Sequence, residues 1–400
     1  MLKPIEIRKD LFYVGLNDRT KHLFENLWPI PKGVSYNSYL LVDEKTALFD
    51  TVDICYSDLF LQKLEIALAG RSLDYVVINH MEPDHSGSLG LLKSKYPNIQ
   101  IIGNKRTADM VEGFYNITEG VKVIADGDEL SLGKKTLRFY LTPMVHWPET
   151  MMTYEVTEKM LFSGDAFGTF GTLDGGITDT QLNPEIYYNE MIRYYSNVVG
   201  KFGSPVQRAL DKLSKIEINY ICSTHGPIWT EKEHIEKVIS IYDKLSRYEG
   251  DEGVVIAYGS MYGNTEQIAE SIAYELAQQG IKNIILHNVS KREHSYIIRD
   301  IFKYKGLIVG SPTYNNKLFP EMANLLSIVE GCEMKNRIFA CFGSYSWAGA
   351  AVRNLKEFAE RNKFEMVGNP VEMKQAINAD IFDQALELGK AMADRLKQDR

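Results

Sequence analysis

The residues after Gly253 alternate short apolar segments with amphipathic helical ones, and this alternation leaves few folds open. Residues 254–258 form a continuous apolar strand, and residues 266–279 place apolar side chains at helical spacing. Apolar segments at 306–310 and 338–342 repeat the pattern, again with helical segments between them. Continuous apolar strands separated by helices predict a doubly wound parallel sheet over residues 254–400.

A polar segment with two glycines, residues 248–253, precedes this region and is the predicted domain boundary. Before it, the strands alternate apolar and polar residues and resemble hairpins, with helices between them. This pattern predicts two packed sheets covered by helices, an αββα sandwich over residues 1–250. The predicted strands are 35–42, 46–50, 98–103, 121–125, 136–142, 152–155 and 159–162, and the predicted helices are 56–69, 87–95, 106–114 and 183–213.

Composition excludes several classes of partner and location. Lys plus Arg number 45 against 53 Asp plus Glu, so the net charge of −8 disfavours nucleic acid as a partner. Apolar runs are far shorter than the roughly 20 residues that span a bilayer, so no membrane association is expected. The N-terminus has no apolar signal region, which predicts a cytoplasmic protein. The four Cys include no Cys-x-x-Cys pair, so any metal should have other ligands.

Histidines and carboxylates cluster at the ends of predicted strands, where metal ligands commonly converge. The first group directly follows the apolar run 75–78. A single such histidine is most simply a packed core residue, but the whole set is difficult to explain by packing alone. The candidate ligands are His80, Glu82, Asp84, His85, His146, Asp165 and His225.

Charge and ligand chemistry favour a pair of redox metals at these residues. Two divalent cations carry four positive charges, of which Glu82, Asp84 and Asp165 neutralise three and a bridging hydroxide would neutralise the fourth. Asp165 is the natural bridge, because one carboxylate can contact two metals. Neutral imidazoles fill the other positions, and the mixture of imidazole and carboxylate suits iron.

The order of these motifs resembles the metallo-β-lactamase fold over residues 1 to about 250: Thr46-Ala47-Leu48-Phe49-Asp50-Thr51, His-x-x-x-Asp-His, a distant His, Gly164-Asp165 and His225-Gly226-Pro227. Hydrolases of that superfamily have His where this chain has Glu82. His-x-Glu-x-Asp-His, joined to a flavodoxin-like C-terminal half, is similar to the flavodiiron proteins over essentially the whole chain. The resemblance implies one iron at His80, Glu82 and His146, a second at Asp84, His85 and His225, and Asp165 as the bridge; His85 is not a ligand in some members.

A second motif, residues 260–265, lies between the first strand and the first helix of the C-terminal half. Its small and hydroxylated residues suit one phosphate at a helix N-terminus. It is neither a Walker loop nor a Rossmann Gly-x-Gly-x-x-Gly, which favours a mononucleotide. A plain strand-to-helix turn is the alternative interpretation.

Two later strands end in comparable loops, and ligands of open α/β sheets bind beyond the carboxyl ends of the strands. Flavodoxin-like domains hold FMN in this way. By resemblance, the first loop binds the phosphate and the other two flank the flavin ring, with Tyr314 and Trp347 able to stack on it. The predicted FMN residues are Ser260, Met261, Tyr262, Gly263, Asn264, Thr265, Ser311, Pro312, Thr313, Tyr314, Asn315, Asn316, Ser344, Tyr345, Ser346, Trp347, Ala348 and Gly349.

The resemblance implies an enzyme that reduces dioxygen to water or nitric oxide to nitrous oxide at a diiron site supplied with electrons through FMN. It also implies a head-to-tail homodimer or a dimer of dimers. Since no Cys-x-x-Cys module is present, we expect a separate electron donor, a rubredoxin-like protein or a reduced deazaflavin. Trp147, Tyr194 and Tyr195 are candidates for excluding water from the metals.

Two other functions are compatible with parts of the sequence. One is a dinuclear zinc hydrolase with an accessory flavodoxin domain, which Glu82 and the carboxylate-rich ligand set disfavour. The other is an electron-transfer module whose N-terminal half has lost its metals, which the seven filled ligand positions disfavour. Metal content distinguishes the three: two irons per chain, zinc, or neither.

Overall fold

The structure is a computed structural model that describes residues 3–398. The chain divides into two compact units, with the division between Asp243 and Lys244. The boundary segment predicted from the sequence, residues 248–253, lies just inside the second unit. No helix within the described residues is long and apolar enough to cross a membrane.

The first unit contains two main sheets. One has the strand order β1-β2-β7-β8-β9-β10-β11 and the other β12-β13-β14-β15-β16, while β3 pairs with β6 and β4 with β5 in short ladders. The strands are β1 (Ile5–Arg8), β2 (Leu11–Tyr13), β3 (Leu16–Asp18), β4 (Leu23–Phe24), β5 (Trp28–Pro29), β6 (Val34–Tyr36), β7 (Tyr39–Val42), β8 (Thr46–Phe49), β9 (Tyr75–Val77), β10 (Gln100–Gly103), β11 (Val121–Val123), β12 (Glu129–Ser131), β13 (Thr136–Leu141), β14 (Met151–Glu155), β15 (Met160–Gly164) and β16 (Tyr220–Ser223).

Aromatic side chains from both sheets fill the space between them. Phe49 of β8 stacks on Phe162 of β15, with ring centroids 3.6 Å apart and planes inclined by 6°. Tyr39 of β7 packs on the same Phe162 ring at 5.6 Å. The helices of this unit are α1 (Ser57–Leu68), α2 (Pro83–Ser86), α3 (Leu89–Lys95), α4 (Lys105–Tyr115), α5 (Pro184–Tyr194), α6 (Gly203–Leu213) and α7 (Lys232–Ser246), of which the last three residues belong to the second unit. The predicted αββα sandwich is confirmed.

Two predicted elements of this unit were wrong in their extent. The single strand expected over 35–42 is divided into β6 and β7, which lie in different sheets. At the break between them, the Asn37 side-chain amide donates to the Ser223 and Gly226 carbonyls. The single helix expected over 183–213 is interrupted by a π-helical turn at Tyr195–Val199 and a 3-10 turn at Gly200–Phe202. Gly200 begins the latter turn and Gly203 follows it, and glycine lowers helix propensity at this point.

The second unit is a parallel sheet with the order β18-β17-β19-β21, to which β22 and β23 both add in parallel along β21. The short strand β20 pairs antiparallel with the end of β19. This is the flavodoxin-like order of doubly wound folds. The strands are β17 (Asp251–Tyr258), β18 (Ile284–Asn288), β19 (Tyr304–Tyr314), β20 (Lys317–Leu318), β21 (Ile338–Tyr345), β22 (Glu365–Met366) and β23 (Val371–Lys374), and the helices are α8 (Asn264–Gln278), α9 (His294–Lys303), α10 (Pro320–Gly331), α11 (Ala351–Arg361) and α12 (Ala379–Lys397).

The core of this unit lies where α8 and α12 cover the central strands. Ile256 of β17 and Ile308 of β19 are fully buried against apolar residues of both helices. Gly389 of α12 permits the close helix contact, since a Cβ there would lie 3.0 Å from the Ile272 carbonyl oxygen of α8. The residues of the apolar segments predicted as strands therefore form the core of this unit.

Truncating the centre of this core should destabilise the second unit. We expect Ile308→Ala to lower the free energy of unfolding by about 2–5 kcal/mol, because the lost side chain leaves a cavity between sheet and helices. Urea unfolding followed by the fluorescence of released FMN measures the change. Tyr274→Ala on the exposed side of α8, where Tyr274 is 57% exposed, is the control and should change stability little. Equal effects of the two substitutions would contradict this view of the core.

Candidate metal centre and cofactor pocket

The first group of candidate ligands is held by a turn at the end of β9. Asp50, in left-handed conformation just after β8, accepts hydrogen bonds from the Asn79 backbone N–H at 2.7 Å and from its side-chain amide at 2.9 Å. The His80 N–H approaches the same carboxylate at 3.3 Å. The neighbouring strand therefore fixes the start of the His-x-Glu-x-Asp-His segment.

The other candidates follow strands of the second sheet. His146 lies in the connection between β13 and β14, Asp165 directly follows β15, and His225 follows β16. All seven predicted ligands are buried, with exposed fractions of 8% or less. The two sheets thus bring seven ionisable side chains, far apart in sequence, into one region.

Four of these side chains form a group with the spacing of a metal site. The His80 and His146 Nε2 atoms are 3.3 Å apart, and each lies 3.2 Å from Glu82 Oε2. Asp165 Oδ2 lies 3.2 Å from His146 Nε2 and 3.5 Å from His80 Nε2. A tetrahedral ion with ligand distances of about 2.0–2.1 Å keeps its ligand atoms roughly 3.3–3.4 Å apart. The spacing therefore suits one metal ion.

A second group lies against the other oxygen of the same aspartate. Asp165 Oδ1 is 2.9 Å from His85 Nε2 and 3.7 Å from His225 Nε2. Asp84 completes the group, with oxygens 3.3 Å from His85 Nε2 and 3.4 Å from His225 Nε2. Asp165 thus directs one oxygen to each pair of imidazoles, which is the geometry of a carboxylate bridging two ions.

Several buried polar atoms of the second group have no hydrogen-bond partner within the described residues. They are both carboxylate oxygens of Asp84 and the Nε2 atom of His225. Burying such groups unpaired is costly, and binding a cation removes the cost. The donor set therefore fits metal ions.

Electrostatic coupling is strong across the two groups. Burial alone would lower the pKa of His85, but the carboxylates of Asp165 and Asp84 outweigh it and raise that pKa to about 9. Burial also opposes charge on His146, yet its hydrogen bonds to Asp165 and Glu82 raise its pKa to about 9. Burial would raise the pKa of Asp165, but the imidazoles hold it well below the usual range. Without metal, His85 and His146 keep protons that a metal ion must displace.

Outer partners fix the orientation of two of the four imidazoles. His80 Nδ1 lies 2.8 Å from Glu149 Oε1, which also accepts the Met81 N–H at 2.9 Å. His225 Nδ1 lies 2.6 Å from the Ser35 carbonyl oxygen. Such contacts direct the opposite nitrogen, Nε2, toward a metal. His85 Nδ1 has no such partner among the described residues.

Sequence reasoning missed Glu149 and Glu25. Glu149 is fully buried, and its position three residues after His146 was the available signal. Glu25 lies in the turn of the β4–β5 hairpin, and no motif identified it. Desolvation and the nearby Glu82 carboxylate raise the pKa of Glu25 to about 7.

Aromatic rings surround the imidazoles. Trp147 packs edge-on against His80 with centroids 5.2 Å apart, and Tyr194 and Phe24 pack on His225 at 5.7 and 5.5 Å. Tyr195, the third aromatic candidate from the sequence, packs on Tyr242 at 4.9 Å. Trp147 and Tyr194 are therefore the two candidates that directly shield ligand side chains.

The second unit has a cavity of about 520 Å³ at the carboxyl ends of its strands. Fourteen of the eighteen predicted FMN residues line it, together with Gln375, which the sequence did not indicate. None of the lining side chains is charged. The volume is within the usual range for small-molecule sites. The lining residues are Met261, Tyr262, Asn264, Thr265, Pro312, Thr313, Tyr314, Asn315, Asn316, Ser344, Tyr345, Ser346, Trp347, Ala348 and Gln375.

Hydroxyl groups tie the three loops of this cavity together. Thr265 and Ser344 hydroxyls lie 2.8 Å apart, and the Thr313 hydroxyl accepts the Ala350 and Ala351 N–H groups at 3.0 and 3.1 Å. Gly263 begins α8 without a side-chain cap, which leaves first-turn N–H groups for a phosphate. The cavity therefore suits a flat ring with one phosphate.

The remaining predicted FMN residues shape the loops from outside the lining. Ser260 accepts the Gly263 N–H at 3.0 Å, and Ser311 accepts the Phe319 N–H at 3.0 Å. A Cβ at Gly349 would lie 2.7 Å from Glu372 Oε1. Around the mouth, Tyr262 and Trp347 are each 90% exposed.

Comparison with known proteins agrees with both halves of this description. A family model described as the ODP family beta lactamase matches residues 34–226, and a flavodoxin model matches residues 256–389. The nitric oxide reductase of Moorella thermoacetica is 31% identical over 401 residues, covering 99% of this chain and 100% of that protein. The chain belongs to the flavodiiron family.

Solved structures of flavodiiron proteins have the same fold. The rubredoxin:oxygen oxidoreductase of Desulfovibrio gigas superimposes with a TM-score of 0.95 at 30% identity, covering 99% of both chains. The flavodiiron protein of Giardia intestinalis gives a TM-score of 0.93 at 25% identity, covering 99% of this chain and 97% of that one. The resemblance seen in the sequence is confirmed, and with it FMN and a diiron site as the cofactors.

Removing the charge of the Glu149 carboxyl should weaken iron binding without unfolding the protein. We expect Glu149→Gln to lower iron affinity by about 10–100-fold, because His80 loses the carboxylate that orients it. Iron retained against a chelator measures the change. Glu155→Gln is the matched control, since Glu155 is also fully buried but, within residues 3–398, its carboxylate accepts from the turn N–H groups of Thr157 and Glu158 and contacts no candidate ligand. Equal iron loss in both variants would contradict the role of Glu149.

Proposed function

We propose that this flavodiiron protein reduces dioxygen to water, nitric oxide to nitrous oxide, or both, with electrons passing through FMN from an external donor. The observation that carries the proposal is the position of Asp165, whose two oxygens face two different imidazole pairs within 3.7 Å. A site that holds two metal ions side by side suits two-centre chemistry on a small gas molecule.

The proposed ligands divide into two sets that share one carboxylate. His80, Glu82 and His146 hold the first iron, and Asp84, His85 and His225 hold the second, with Asp165 between them. The short contacts within each set, and the buried atoms of Asp84 and His225 that have no hydrogen-bond partner within the described residues, support this division. Three carboxylates leave one positive charge on a pair of divalent ions, which suits a bound anion or hydroxide.

The proposed FMN site uses the three hydroxyl-linked loops. Residues 260–265 hold the phosphate, and Thr313–Asn316 and Ser344–Gly349 flank the ring, with Gln375 an added contact on the lining. Because the lining is uncharged, hydroxyl and N–H groups would bind the phosphate, as the helix N-terminus favours. When bound, FMN supplies one or two electrons and the irons supply gas binding and reduction.

The side chains around the metals have two proposed tasks. Trp147, Tyr194 and Phe24 pack on ligand imidazoles and keep bulk water from them. The Tyr194 hydroxyl is fully buried and has no hydrogen-bond partner within the described residues. It therefore has a free donor for a substrate held beside His225.

The choice of gas and donor rests on relatives and on surface chemistry. The Moorella relative and the Vibrio vulnificus relative, a flavorubredoxin 34% identical over 88% of this chain and 72% of that protein, are named nitric oxide reductases. The Desulfovibrio relative is named for rubredoxin and oxygen.

We propose a rubredoxin-like protein or a reduced deazaflavin as donor. The exposed Tyr262 and Trp347 rings suit contact with a partner, and a head-to-tail homodimer or dimer of dimers is the proposed assembly.

Asp165→Ala should abolish reduction of either gas while FMN stays bound. We expect activity to fall by more than about 100-fold, beyond the usual effect of losing an outer partner, because both irons lose a ligand. Oxygen consumption and nitrous oxide formation with a reduced rubredoxin measure activity, and absorbance measures FMN.

Asp174→Ala is the control for this experiment. Asp174 pairs with Arg19 on the surface, with both side chains more than half exposed, so its loss should leave turnover unchanged. An Asp165→Ala protein with turnover close to that of the control would refute the bridging role.

A further inference from the structure

The bridging carboxylate of the proposed diiron site has a further contact, to a buried hydroxyl group. Thr224 Oγ1 donates to Asp165 Oδ1 at 2.6 Å, and each of the two residues is 2% exposed. A hydroxyl–carboxylate distance of about 2.5–2.7 Å is typical of a strong, charge-assisted hydrogen bond. Thr224 therefore contacts the one carboxylate that both proposed irons share.

The hydroxyl contacts only one of the two carboxylate oxygens. Asp165 Oδ1, which accepts it, lies 2.9 Å from His85 Nε2 and 3.7 Å from His225 Nε2. Asp165 Oδ2 lies 3.5 Å from His80 Nε2 and 3.2 Å from His146 Nε2, and it contacts no hydroxyl within residues 3–398. The hydrogen bond therefore distinguishes the oxygen of the second proposed iron from that of the first.

The backbone fixes the position of this hydroxyl relative to the bridge. The Thr224 N–H donates to the Gly164 carbonyl oxygen at 3.0 Å, and the Thr224 carbonyl oxygen accepts the Asn37 N–H at 2.8 Å. Gly164 ends β15 and directly precedes Asp165, and β15 pairs in parallel with β16, which ends just before Thr224. The hydroxyl and the carboxylate are therefore carried by the ends of neighbouring strands.

The orientation of the Asp165 carboxylate is not fixed by its own torsion preferences. The torsion that turns an aspartate carboxylate has a broad distribution, so a contact must set it. Here the hydrogen bond is that contact, which directs Oδ1 toward the second imidazole pair and leaves Oδ2 for the first. Carboxylates that bind metals are commonly held by such outer hydrogen bonds. Without the hydroxyl, the carboxylate is free to turn and to give both oxygens to a single ion.

The first position has the stronger outer support. His80 Nδ1 lies 2.8 Å from the Glu149 carboxylate, whereas His225 Nδ1 lies 2.6 Å from the neutral Ser35 carbonyl oxygen. An anionic partner raises the basicity of a metal-bound imidazole and so strengthens its bond to the metal. A bridging carboxylate released from Thr224 should therefore favour the first position, and the second position should lose its shared ligand.

We propose that Thr224 is a positioning residue that divides the Asp165 carboxylate between the two irons and so retains the second one. The inference rests on the proposed function, since it takes Asp165 as the bridge. Thr224 has no part in the reaction itself, because its hydroxyl acts through Asp165. Only the hydroxyl is needed for this task, so serine should be able to replace threonine.

Competition for iron between the FMN-loaded, full-length protein and a chelator of known affinity tests the proposal. Thr224→Val keeps the shape of the side chain but removes the hydroxyl. We expect one of its two irons to bind about 10–100-fold more weakly, because losing the outer partner of a ligand weakens metal binding by that factor. The other iron should keep its affinity, and Thr224→Ser should hold both irons as the unaltered protein does.

Thr230→Val is the matched control. Thr230 Oγ1 also donates to a buried carboxylate at 2.6 Å, that of Asp179, which is not a candidate ligand. This variant should hold both irons with unchanged affinity. Retained FMN and an unchanged circular dichroism spectrum show that each variant is folded. If Thr224→Val does not fold, Thr224→Ala removes the same hydroxyl and takes its place in the experiment.

Three results would overturn the proposal. They are two irons held by Thr224→Val as tightly as by the Thr230→Val control, equal weakening of both irons, and failure of Thr224→Ser to restore the weakened one. Failure of the proposed function has a different signature. The unaltered protein would then hold fewer than two irons per chain, and the inference about Thr224 would fall with it.

Discussion

The structure of the first unit depends on burying three carboxylates and four imidazoles in one region between the ends of two sheets. Isolated charges of this kind are very costly to bury, and only mutual pairing or metal ions make the arrangement stable. Asp165 is the centre of the arrangement, because each of its oxygens faces a different imidazole pair. These groups are held in position by the strand ends, by the outer partners Glu149 and Ser35, and by the aromatic rings.

The same coupling links metal binding to protonation. Without metal, the carboxylates hold protons on His80, His85 and His146, whose pKa values are all raised above the ordinary range despite burial. A raised histidine pKa stabilises the folded metal-free protein most at low pH, and that contribution is lost as pH rises through about 9 for His85 and His146. Metal ions take the place of those protons, so the cluster stays neutralised in either state.

The sequence was sufficient for the fold class. It also indicated most of the side chains that the structure brings together in the buried cluster and in the cavity, because these residues follow apolar strands whose carboxyl ends converge. The residues that surround the candidate ligands or add to the cavity lining were harder to predict. Glu149 and Gln375 lie in irregular segments, and Glu25 lies in a three-residue turn, where periodicity carries no information. The division of the 35–42 segment depends on Asn37 reaching carbonyls nearly 190 positions away. The interruption of the 183–213 helix depends on local backbone propensity within a long helical pattern.

We propose that seven side chains of the first unit hold two irons, with Asp165 between them. Anomalous diffraction from crystals of the iron-loaded protein, measured on both sides of the iron absorption edge, tests it most directly. Two iron peaks per chain, one beside each oxygen of Asp165, are the predicted result. Zinc at these positions, a single ion, or peaks away from His80 and His225 would contradict the account.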